Sequence, residues 1–115
     1  MDRDSEEEIL AATRELLTVL LDENGLQPSL VVSAFFTCTP DLHAAFPAQA
    51  ARELGLNDAA LLCAAEIDVR GALQRCIRAL LHIETDLRQD ELRHVYLREA
   101  AALRPEFARP RGSTD

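Results

Sequence analysis

The stretch Leu30 to Thr37, Leu-Val-Val-Ser-Ala-Phe-Phe-Thr, constrains this chain more than any other. It is β-branched and aromatic, without a helical period, and therefore reads as a strand. Its nearly continuous apolar character predicts cover on both faces. A second run, Ala60 to Ala65, has the same character and delivers a carboxylate, Glu66, at its end. Two buried strands need helices to cover them. Ser5 to Glu8 reads as a capping box opening a helix whose stripe is Ile9, Thr13, Leu16, Leu17, Leu20 and Leu21, and Asn24-Gly25 stops it. Thr39-Pro40-Asp41 is expected to start a short helix, with Thr39 as cap and Pro40 at the first position. Phe46-Pro47 restarts another through Leu54, closed by Gly55.

The second half is more mixed. Asp68 to Gln74 reads as a turn with room for one helical turn. Ile77 to Thr85 has helical propensity in Ala-Leu-Leu, but Ile77, Ala79, Leu81 and Ile83 alternate with Arg78, Leu80, His82 and Glu84, and the strand period is favoured. Asp86 to Arg93 is a polar connection. His94 to Ala101 is expected to form a last strand, with Val95 and Leu97 on one face and His94, Tyr96 and Arg98 on the other. The pattern predicts an α+β (or α/β-like) chain with a mixed sheet. A single domain is expected over residues 1–104, followed by a loosely held tail over residues 105–115 with Pro105, Pro110 and Gly112.

Charge narrows the partners. The 115-residue chain carries a formal net charge of −8, which argues against nucleic acid and anionic membranes. All 12 basic residues are arginine, so a bound carboxylate would meet planar guanidinium groups. Cys38, Cys63 and Cys76 are scattered and odd in number, fitting reduced thiols in a cytoplasmic protein. The acidic start is unlike a targeting peptide, and no apolar run reaches the ~20 residues of a membrane helix.

Glu66 and Arg78 stand at the edges of apolar runs, where a charge needs a partner. Either they pair with each other or they await a ligand, and the residues alone favour the salt bridge. Cys63 reads first as a small buried hydrophobe. His82, Glu84, Asp86 and His94 lack compact metal-ligand spacing, so no metal is expected. Tyr96 reads as a packing tyrosine, and Asp41 as a helix-dipole partner. No strong catalytic signature stands out.

Several segments, taken in order, carry a resemblance: Thr39-Pro40-Asp41-Leu42-His43-Ala44-Ala45-Phe46-Pro47-Ala48, Ala51-Arg52-Glu53-Leu54, Cys63 with Glu66-Ile67-Asp68-Val69, Cys76-Ile77-Arg78, Arg93-His94-Val95-Tyr96-Leu97 and Ala102-Leu103-Arg104-Pro105. Their order and spacing resemble the monofunctional, trimeric, pseudo-α/β-barrel chorismate mutases of bacteria. The resemblance implies a homotrimer with clefts between subunits and the intramolecular rearrangement of chorismate to prephenate. No cofactor is implied, because the shift occurs within one molecule. Arg78 then resembles the donor to the ether oxygen and a substrate carboxylate, and Glu66 the acceptor for the ring hydroxyl, with Cys63 beside it. Tyr96 resembles a hydroxyl that contacts the substrate side chain. Phe46, Ala48 and Arg52 would come from the neighbouring subunit, and Leu103 and Arg104 would close over the cleft. On this reading Glu66 and Arg78 face a ligand more than each other.

The chain departs from the family in lacking an R-G-x-R-G-A strand ahead of the first helix. The expectation is that the natural start lies upstream of Met1. The alternative is a truncated, catalytically weak paralogue serving as a trimeric interaction or regulatory protein. A trimeric imine-deaminase-like hydrolase is disfavoured by the same motifs.

Overall fold

In a computed structural model of the chain, which describes residues 1–98 and 100, the first helix, α1, spans Glu6–Glu23. It starts where the sequence puts it: the Glu8 backbone N–H donates to Ser5 Oγ at 3.1 Å. It stops at Asn24, and Gly25 takes φ 62°, a left-handed value that costs glycine nothing. Strand β1 covers Val31–Cys38, helix α2 covers Ala48–Glu53, β2 covers Ala60–Ala65 and β3 covers Ile77–Ile83. The strand period therefore wins over helix propensity at Ile77–Ile83, because Ala79, Leu81 and Ile83 each gain a packed site on one face.

The sheet has the order β2-β1-β3, with β1 parallel to β2 and antiparallel to β3. It is a mixed sheet with helices on one side, the expected α+β architecture. Val31, Ala34 and Phe36 of β1 meet Leu17 and Leu21 of α1 and Ala48 and Ala51 of α2 in one core. Phe36 is fully buried at its centre. A Phe36→Ala variant is expected to lose about 3–5 kcal/mol of stability, through lost transfer energy and a cavity, read as a lower denaturant midpoint.

Among the described residues, cover on both faces does not occur. On the outer face Phe35 lies between Leu62 and Leu80 in register, and the three are 40%, 59% and 61% exposed. Both α-helices are used on the inner face, so among the described residues no helix covers this row.

Two other expectations change. Thr39-Pro40-Asp41 starts no helix; residues 39–42 form a turn closed by the Leu42 N–H to Thr39 C=O bond at 3.0 Å. The polar side chains that would have capped a helix instead bind the start of β3. The Cys76 N–H donates to Thr39 Oγ1 at 3.0 Å, and the Arg75 N–H donates to both Asp41 carboxylate oxygens. The strand expected over His94 to Ala101 is also absent: residues 94–97 are irregular, and Ala101 lies outside the described residues. Asn24 supplies the reason. Its buried side-chain amide brackets Arg93, donating to the Arg93 C=O at 2.9 Å and accepting from the Arg93 N–H at 2.7 Å. The Arg93 backbone is satisfied by a side chain, and a cavity of about 280 Å³ separates this segment from β3.

Candidate active site

Three strands bring three polar side chains to one corner of the outer face. β1 and β2 run in the same direction and end there, and β3 runs back from it. Thr37 stands directly opposite Arg78 on one side and Ala64 on the other. Glu66 extends the ladder past β2, its N–H donating to the Cys38 C=O at 2.8 Å. This short backbone link aims the Glu66 carboxylate back across the sheet.

Thr37 Oγ1 donates to Glu66 Oε2 at 2.7 Å, and Arg78 Nε lies 3.3 Å from the same oxygen. The Glu66 side chain is only 15% exposed, whereas that of Arg78 is 63% exposed. Glu66 and Arg78 therefore do pair with each other, as the residues alone favoured. The pair is asymmetric: the carboxylate is sheltered and held by a hydroxyl, while the guanidinium is largely in solvent. Five N–H donors on a planar fork exceed what one carboxylate oxygen can use, so Arg78 keeps donors for an anionic ligand. Thr37 escaped notice in the sequence, where it reads only as the polar end of an apolar run. Its signal exists solely in the register that sets it between Glu66 and Arg78.

The other expected residues are spread more widely. Tyr96 and Arg78 both line the 280 Å³ cavity, together with Leu16 and Leu20 of α1 and Ala79 and Leu81 of β3. Arg98 bonds Glu15 of α1 across this region at 3.2 Å. Cys63 packs against the core from the inner face, away from the Glu66 carboxylate. Burial pushes the neighbouring Cys38 thiol up to about 11, with the charges around it adding, so it is a poor nucleophile near neutrality. Ala48 is a core residue, Phe46 is 72% exposed and Arg52 sits in the last turn of α2. Leu103 and Arg104 lie outside the described residues.

A second polar network sets where β3, and hence Arg78, begins. The Thr39 hydroxyl donates to Asp41 at 2.6 Å and, with the Arg75 N–H, holds the Asp41 carboxyl below the usual carboxylate range, against partial burial. The backbone N–H of His43 does the same for Asp4, against burial, with help from the Ala44 N–H and the His43 ring. Arg75 also donates from Nε to the Met1 C=O at 2.9 Å. A depressed folded value means stability that is present above the unfolded value near 3.8 and lost as pH falls through the lower folded one. Acidification below about pH 4 is thus expected to loosen this network. An Asp41→Asn variant should show a smaller fall in Tm over that window than the parent chain.

A sheltered carboxylate, a hydroxyl and an exposed guanidinium at the end of an α+β sheet are groups able to bind a small polar anion by charge and hydrogen bonding. The comparisons with known proteins are specific. The model of the family described as chorismate mutase type I matches residues 1–107. Chorismate mutase AroH of Bacillus subtilis is 46% identical over 109 residues, covering 94% of this chain and 86% of that protein. Chorismate mutase AroH of Thermus thermophilus is 50% identical over 108 residues, covering 93% of this chain and 88% of that one. The solved chorismate mutase of Clostridium thermocellum superposes with a TM-score of 0.86 at 44% identity, covering 88% of this chain and 90% of that chain. This chain belongs to the type I chorismate mutase family.

Proposed function

We propose that the chain is a chorismate mutase, an isomerase that rearranges chorismate to prephenate on the way to phenylalanine and tyrosine. The observation that carries this reading is the convergence of Glu66, Thr37 and Arg78 at one corner of the sheet, in a chain of this family. The reaction breaks a C–O bond and makes a C–C bond inside one molecule. It needs the substrate held compactly and the charge growing on the ether oxygen stabilised. Arg78 has the exposed donors to serve that oxygen and a carboxylate, and Glu66 has a second oxygen, Oε1, to accept from the ring hydroxyl. Tyr96, lining the same cavity as Arg78, contacts the substrate side chain.

The cleft is completed by a homotrimer, with Phe46 and Arg52 contributed by the neighbouring subunit, whereas Ala48 and Cys63 pack with the core. The exposed row Leu62–Phe35–Leu80 supports such an assembly, because it is an apolar face without cover among the described residues. Leu103 and Arg104 close the cleft by their resemblance to family tail residues. The working compartment is the cytoplasm, which suits the three free cysteines Cys38, Cys63 and Cys76.

The test is chorismate consumption and prephenate formation by this chain. Turnover is expected. No turnover at stoichiometric enzyme overturns the reading.

A further inference from the structure

We propose that Thr37 is a positioning residue for the reaction: its hydroxyl holds Glu66 so that Arg78 stays available to the substrate. This rests on the reading of Glu66 and Arg78 given above. Thr37 Oγ1 and Arg78 Nε compete for one oxygen, Glu66 Oε2, at 2.7 Å and 3.3 Å. Charge-assisted N–H···O bonds settle near 2.7–2.9 Å, so the arginine is held loosely while the threonine holds tightly. β-Sheet register builds this in, because Thr37 and Arg78 are direct cross-strand partners and Glu66 reaches in from the far side of β1.

The consequence is a division of labour on the carboxylate. With Oε2 anchored by the hydroxyl, Oε1 remains for a substrate hydroxyl, and the guanidinium can swing to an anion without leaving Glu66 unpartnered. A sheltered carboxylate stripped of its last donor would resist that swing, since losing a partner in a partly buried site costs its desolvation. Without the Thr37 hydroxyl, Glu66 closes onto Arg78, and the ion pair competes with the transition state for the same donors. The loss falls on kcat, because the interaction withheld is the one that strengthens as the ether bond breaks.

The experiment compares Thr37→Val, which keeps the β-branched shape, with Thr37→Ser, which keeps the hydroxyl, in the native and Glu66→Gln backgrounds. Thr37→Val is expected to lower kcat roughly tenfold with KM moving less than about threefold, and Thr37→Ser to stay within about threefold of the native rate. In the Glu66→Gln background, where no charge draws the arginine in, Thr37→Val should cost little more. Equal losses in both backgrounds, or a Ser variant as impaired as Val, would mean that Thr37 only supports the strand and would overturn the proposal. A readout without substrate separates this from failure of the function itself. By NMR, solvent exchange of the Arg78 Nε–H is expected to slow in Thr37→Val relative to the native chain. Unchanged or faster exchange overturns the positioning role whether or not chorismate is turned over.

Discussion

Replacing Arg78 by alanine is expected to lower kcat for prephenate formation on the order of 10²–10³-fold, as for other single donors to a developing oxyanion. The fold should survive. Arg78 is 63% exposed, lies on the edge strand and contributes no side chain to the core. Its ion pair with Glu66 is largely solvated on the arginine side, so its contribution to stability is small. Melting temperature and sedimentation should therefore stay near the native values while the rate collapses. Lysine should rescue only part of the loss, because a point charge cannot reproduce the planar fork that serves an ether oxygen and a carboxylate together. Steady-state kinetics at saturating chorismate read the outcome directly. An alanine variant with the native kcat would remove Arg78 from the chemistry.

Placing an aspartate at Phe35 is expected to dissociate the proposed trimer and abolish turnover with it. Phe35 sits at the centre of the outer-face row, between Leu62 and Leu80, with Val32 exposed further along the same strand. Assemblies that always remain together bury apolar faces of this kind. Burying a carboxylate there costs several kcal/mol per ion, and a threefold assembly incurs that cost three times. The monomer should still fold, because the core lies on the opposite face around Phe36, Leu17 and Ala51. If the active clefts lie between subunits, the separated chain has none. Sedimentation velocity beside initial rates tests both halves: a monomer with full activity would place the whole site within one chain, and an intact trimer would move the interface elsewhere.

The parts of the fold that were legible in the sequence are those governed by neighbours in the chain. The α1 boundaries followed from Ser5, which accepts the Glu8 N–H, and from Gly25, which takes the left-handed backbone. β1 and β2 followed from β-branched, aromatic and apolar runs, and β3 from alternation. What failed depended on partners far away. Thr39 and Asp41 carry every local mark of a helix start, yet their oxygens are taken by the backbone of Arg75 and Cys76. The run from His94 has a strand's alternation, but Asn24, at the end of α1 and 69 residues earlier, holds the Arg93 backbone.

The corner of Glu66 and Arg78 divides in the same way. By itself the sequence determined that a carboxylate and a guanidinium stand at the ends of two apolar runs, because a charge interrupting a hydrophobic stretch is visible without coordinates. It also carried the family motifs that match over most of the chain. Only the tertiary structure decided that the two charges meet at 3.3 Å, that one is sheltered and the other exposed, and that Thr37 stands between them. Those facts depend on strand order and register, which are set by how the whole apolar face packs against the helices. A one-residue slip in β3 would turn Arg78 into the core and leave Glu66 without a cation.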